Sequence, residues 1–205
     1  MKNNLTRDGA LPSFDETAAF HGHACPGLAL GYRVALAAMR RLCAGRPDDE
    51  GLVAVVENNA CGVDAVQFVC GCTFGKGNLV FRDHGKHVYS FFQRAAGKGI
   101  RIYAEPPEMD DGETAVLSCK PHRTADEEER LRAGRARRID GLLSLPDSEL
   151  LHIAAAEEAP PARARIHASI RCVNCGERMM ETRACPPLEA PLCIPCADTV
   201  HANLV

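Results

Sequence analysis

Apolar residues recur through the first third of the chain at spacings of four and three. Leu28, Tyr32, Ala35, Met39 and Leu42 form one stripe, as an amphipathic helix requires. Leu30, Val34 and Ala38 widen the stripe, leaving Arg33, Arg40 and Arg41 as the solvent-seeking positions. The pattern predicts a largely buried helix from Leu28 to Leu42, ending near Gly45 and Pro47. Ahead of it, Ser13 or Asp15 is placed to cap a short helix running through Thr17 to Phe20. Residues 1–12 read as an extended lead-in.

Beyond the helix the period changes. Leu52 to Glu57 is a β-branched run of the buried-strand type. Val63 to Cys70 fits two helical turns, with Cys61, Asp64 and Phe68 on one face. Gly71 to Asn78 is a glycine-rich loop. Leu79 to Arg82 and His87 to Phe92 read as partner strands around a tight turn, Asp83 to Lys86, and Gly99 to Ala104 as another strand. Thr124 to Arg138 carries acids first and arginines after, the order of a surface helix. Asp147 or Ser148 suits a cap, and Leu151 to Glu157 fits helix or strand equally. Proline-rich Glu158 to Arg163 reads as a linker. The expected organisation is an α+β core over residues 1–158 and a linker with a small four-cysteine module over 159–205.

Composition narrows the function classes. The chain has 205 residues and a net charge of −3, so no basic field points to nucleic acid. The start lacks the apolar core of a signal peptide, and no run is long enough to span a membrane; a soluble, cytoplasmic protein is expected. Eleven cysteines, an odd count, argue against a disulfide framework in a reducing compartment. They point instead to metal ligands, reactive thiols or packing. Cys43, Cys70 and Cys119 are assigned to packing.

The tail carries the strongest chemical signal. Cys172-Val173-Asn174-Cys175-Gly176 and Cys193-Ile194-Pro195-Cys196 are two Cys-x-x-Cys pairs separated by seventeen residues. Each pair lets two thiolates reach one ion from a tight turn, and Gly176 supplies the positive φ such a knuckle needs. Four soft ligands with no open position suit structural zinc, with rubredoxin-like iron as the chemical alternative. Cys185, followed by two prolines, is left out. The tail has arginines but no aromatic residue to stack on a base, so nucleic acid is not an expected partner.

A second constellation precedes the long helix. In His21-Gly22-His23-Ala24-Cys25 three potential ligands stand at alternate positions, and an extended backbone would turn them to one side. Cys25 stands before Pro26, at a helix N-terminus that favours a thiolate. With Cys61 the set makes a four-ligand transition-metal site; with one position open it would be catalytic, with Cys25 and Asp64 as the catalytic candidates. Asp64 also suits a role orienting a ligand. Arg33, Lys76 and Asn78 are the candidates for binding a small anionic ligand. A metal-free alternative makes Cys25 a nucleophile or redox thiol with Cys70-Gly71-Cys72 as a resolving pair.

Phe20-His21-Gly22-His23-Ala24-Cys25-Pro26-Gly27-Leu28-Ala29-Leu30-Gly31-Tyr32-Arg33 resembles the signature of the FmdE-like family, named for the E component of tungsten or molybdenum formylmethanofuran dehydrogenase. Glu57 with Cys61 and Asp64-Ala65-Val66-Gln67, then Cys72 to Asn78, then Asp83 to Lys86 follow in the family's order, and Arg165 through Cys196 resembles the extra zinc finger of some members. The resemblance implies an α+β core, homodimerisation through it and a treble-clef-like finger. It names no certain reaction, and in the dehydrogenase complex the pterin is associated with other subunits; a small anionic or pterin-like ligand at the His21–Cys25 loop and an oxidoreductase complex are the expected partners. A metalloprotein for redox or one-carbon chemistry and a non-catalytic accessory or metal-delivery module are the two functional expectations.

Overall fold

The computed structural model of the chain describes residues 11–42, 49–107, 112–187 and 189–202. Residues 1–10, Cys43, the expected helix end near Gly45 and Pro47, and Asn203 lie outside the described residues. The chain divides into two compact units, residues 1–163 and 164–205.

The first unit is α+β. α1 (Phe14–His21) opens with a capping box in which Ser13 and Glu16 satisfy each other's N–H groups, and ends at Gly22, whose φ of 94° only glycine adopts at ease. α2 (Pro26–Leu42) follows, with Leu28, Ala29, Val34, Ala35, Ala37 and Ala38 wholly buried. Then come β1 (Leu52–Val56), α3 (Gly62–Cys70), β2 (Leu79–Phe81), β3 (Val88–Gln93) and β4 (Lys98–Ala104). α4 (Gly112–Cys119), α5 (Ala125–Ser144), α6 (Asp147–Leu150) and β5 (Leu151–Ala155) complete the unit.

The sheet order is β2-β1-β3-β4-β5. β1 and β2 are parallel, joined through α3; every other pairing is antiparallel. The expected hairpin between Leu79–Arg82 and His87–Phe92 is therefore corrected: β1 lies between the two strands, and Val55 pairs with Val80 on one side and Ser90 on the other. β1 is buried along its whole length. Its alternate residues feed two apolar layers, Leu52, Ala54 and Val56 against the helices, and Val53 and Val55 with Phe92 on the reverse face.

Three further expectations change. Arg33 is not solvent-seeking: it is 7% exposed. Its guanidinium donates to the Leu142 and Leu143 carbonyls at 2.6 and 3.0 Å and to Asp147 at 2.8 Å. Asp147 thus serves as the counter-ion of Arg33, Arg40 and Arg41, and does not cap α6 through its side chain. Cys119 is exposed at the end of α4 instead of packing. The proline-rich segment is held to the core: Glu158 pairs with Arg82 at 2.7 Å, and Arg94 donates to the Pro161 and Ala162 carbonyls.

The second unit is a small, zinc-finger-like tail. β6 (Ser169–Arg171) pairs with β7 (Arg178–Met180) around the first cysteine pair, with Gly176 at φ 76°. β8 (Ala184–Cys185) pairs with β9 (Leu192–Cys193), which leads into α7 (Ile194–Ala202). Among its described residues only Cys172 and Ala197 are buried.

Candidate metal centre

The loop between α1 and α2 brings three ligand atoms of His21, His23 and Cys25 within 4.8 Å of one another. They converge by a different route from the extended one expected. His21 is the last residue of α1, Gly22 reverses the chain, and Pro26 starts α2 directly after Cys25. The two imidazoles lie with ring centroids 4.5 Å apart. Phe20 stacks on Phe68 of α3 at 5.0 Å, fixing the end of α1 against that helix.

Cys25 begins α2 as a cap. Its carbonyl accepts the Ala29 N–H at 3.0 Å, and its sulfur accepts the Leu28 N–H at 3.4 Å. The thiol is thereby aimed before any ion binds. His21 is fixed from the other side: its Nδ1 meets Asp64 Oδ2 at 2.7 Å, while Asp64 Oδ1 accepts from Gln67 Nε2 at 3.0 Å. Asp64 sits in the first turn of α3 with Gln67 one turn on, the i, i+3 relation. The opposite nitrogen, His21 Nε2, is buried and has no hydrogen-bond partner among the described residues. Such an atom is costly unless it binds something. A carboxylate on one imidazole nitrogen and an unclaimed lone pair on the other is how metal-ligating histidines are held.

Cys61 lies beside this cluster without joining the set of three. Burial pushes its thiol up, and the neighbouring Cys25 thiol adds to the effect. Arg33, Lys76 and Asn78 are placed elsewhere. Arg33 is held by Leu142, Leu143 and Asp147 as described. Lys76 Nζ donates to the carbonyls of Asp49 and Gly71. Asn78, 1% exposed, accepts from Thr73 N and donates to Leu52 O. The latter two hold the glycine-rich loop in shape, while Arg33 lines a separate cleft with Tyr32 and Arg40. Cys70 and Cys72 are buried, with their sulfurs near the Ala35 and Leu52 carbonyls.

Two clefts border the centre that the sequence did not reveal. One, of about 370 Å³, lies at Pro26 and Gly27 and is lined by Arg135, Arg138 and Thr114. The other, of about 280 Å³, has Asp64 and Gln67 in its wall together with Phe74 and Phe81.

In the tail, Cys172, Cys175, Cys193 and Cys196 also place their sulfurs within 4.8 Å of one another. Backbone N–H groups of Cys175 and Cys193 lower the Cys172 thiol to about 6. The N–H of Cys196 lowers the Cys193 thiol too, but the crowding thiols of Cys196, Cys172 and Cys175 and burial push it up to about 12. Four sulfurs this close cannot all be thiolates without a cation between them. The donor set fits one soft ion.

The chain belongs to the FmdE family: the family model described as "FmdE, Molybdenum formylmethanofuran dehydrogenase operon" matches residues 20–152. It is similar to a probable S-adenosyl-L-methionine-binding protein of Archaeoglobus fulgidus, 34% identical over 196 residues covering 89% of this chain and 52% of the relative. The chain thus spans about half the length of that relative. In fold it resembles a crystal structure of a tungsten formylmethanofuran dehydrogenase FmdE-like protein from Syntrophus aciditrophicus, with a TM-score of 0.60, 23% identity, and coverage of 92% of this chain and 94% of that one. Among the described residues no helix is long and apolar enough to cross a membrane.

Proposed function

We propose that this chain is a metal-binding protein with two sites of different kinds. A transition-metal ion in the core is held by His21, His23 and Cys25, with Cys61 adjacent and Asp64 orienting His21. A structural zinc is held by Cys172, Cys175, Cys193 and Cys196. The buried, unclaimed Nε2 of His21 carries the core assignment. His23 is exposed, so the core ion has a solvent side where a small ligand can enter; an ion with an open position supplies Lewis acidity to such a ligand. The ligand is a small anionic or pterin-like molecule, and the relative's name adds S-adenosylmethionine as a candidate. For an anion, Arg135 and Arg138 are the cations at hand in place of Arg33.

A second reading is supported by the family's description, which refers to a formylmethanofuran dehydrogenase operon. In it the chain is a non-catalytic accessory or metal-delivery module of an oxidoreductase complex, acting as a cytoplasmic homodimer. Turnover by the isolated chain favours the first reading; co-purification with a dehydrogenase favours the second.

Elemental analysis tests the metal assignment. The protein is expected to hold two ions per chain, and one after His21→Gln with Cys25→Ser. Cys193→Ser is expected to release the other. Equal metal content in wild type and the core double variant overturns the core site.

A further inference from the structure

We infer that the cleft at the carboxyl ends of β1 and β2 binds a planar, uncharged, nitrogen-rich fused heterocycle of the purine or pteridine class. The first ground is topological. β1 has a parallel neighbour, β2, on one side and an antiparallel neighbour, β3, on the other. The chain leaving β1 crosses through α3 to β2, so the ends of both strands and the start of α3 border one crevice. The cleft lies there, between Val56 at the end of β1, Phe81 at the end of β2 and Val63 in α3.

Its size and lining select the ligand. At about 280 Å³ it sits at the small end of the roughly 300–1,000 Å³ of ligand pockets, enough for a fused ring and short of an extended molecule. Phe74, 80% exposed, and Phe81, 46% exposed, offer aromatic faces at its mouth. Among the described residues no lysine or arginine lines it, and its charged lining residue is Asp64. That rules against phosphate or carboxylate as the bound group, in contrast to the Arg135 and Arg138 cleft.

The amide of Asn58 is already used, donating to Lys86 O at 2.8 Å and accepting from Ala60 N at 3.1 Å. The Asn59 amide and the Gln67 carbonyl remain, donors and acceptors that match the ring nitrogens and exocyclic amine of such a heterocycle. The same Asp64 holds His21 at 2.7 Å, so the ligand would lie one side chain from the core metal. The functional sense of the site rests on the proposed metal reading; binding itself does not.

The test is calorimetric titration of the full chain with adenine, adenosine and 6-methylpterin, with inorganic phosphate as the control and metal content measured on every sample. At least one heterocycle is expected to saturate. Phe74→Ala is expected to weaken it about tenfold, the size of one lost base–aromatic stack, with Asn59→Ala weakening it further and metal content unchanged. Phosphate is not expected to compete. Absence of saturation by all three heterocycles, or saturation that neither substitution alters, overturns the proposal. So does a dimer that Phe74→Ala dissociates in a protein that binds none of them, because a second copy then covers the cleft. A heterocycle bound to protein with an empty core site leaves the cleft standing and removes only the metal reading.

Discussion

Asp64 spends one oxygen on His21 and the other on Gln67, so its effect on a core ion is exerted through the imidazole. Asp64→Asn keeps the shape and loses the charge. It is expected to weaken core metal affinity by about 10–100-fold and leave the tail ion in place, as read by competition against a chromophoric chelator. Asp147 is the other residue with a distant grip. Burial alone would raise its carboxyl, but the Arg33 hydrogen bond and the charges of Arg40, Arg33 and Arg41 outweigh this and hold it below the usual carboxylate range. A depressed folded value means the stabilisation is complete above the unfolded value, near 3.9, and fades as pH falls through the folded one. Wild type is thus expected to lose stability below about pH 4 more steeply than Asp147→Asn. At neutral pH that variant is expected to cost about 2–3 kcal/mol in denaturant unfolding, because it leaves the buried Arg33 charge uncompensated. The candidate core site is legible in the sequence because His21, His23 and Cys25 lie within five residues. The role of Arg33 is not, because helical period reports a face and says nothing of a partner 114 residues away.

At the level of elements, α2 and α3 meet where Gly31 and Gly62 touch backbone to backbone. A Cβ on Gly31 would run into Gly62 Cα, C and O. Gly31→Ala is expected to destabilise the fold by about 3 kcal/mol in thermal or urea unfolding, while Gly75→Ala, which meets nothing within 4 Å, should be near neutral. Local pattern locates α1, α2, β1, α3 and β4 well, because caps and apolar spacing are properties of neighbouring residues. It cannot pair them. Leu79–Arg82 and His87–Phe92 flank a short glycine turn, which is also what a hairpin looks like; inserting β1 between them is a decision of the sheet. The start of α5 is plain from Thr124 and Glu127, its capping box. Its inward face is hidden, since Leu131, Gly134, Ile139 and Leu142 are thinly spread among charges.

For the whole molecule, the two units are stabilised by different means. The described residues of the first unit bury a continuous apolar core, whereas the tail, among its described residues, buries little beyond Cys172 and Ala197. So small a unit is expected to fold only with an ion on its four cysteines. Treatment with a strong chelator is expected to collapse the dispersion of tail amide resonances in an NMR spectrum and leave those of β1, β3 and β4 in place. The tail's cysteine spacing announces its ligand set, because two short knuckles contain all the geometry. The clefts beside the core centre are not announced, since their walls come from strands, helices and loops far apart in sequence. Phe74 gives a faint signal, a large ring in a glycine-rich loop with no element to bury it.

The loop from His21 to Cys25 is also a joint. It closes one helix at Gly22 and caps the next through Cys25, so the angle between α1 and α2 is set within the same few residues that carry the ligand atoms. An ion there would work as a rivet, and its arrival should slow amide exchange along the start of α2 and the end of α1 together. Lengthening the loop by a single residue would keep every ligand in the chain and still separate the two halves of the clasp.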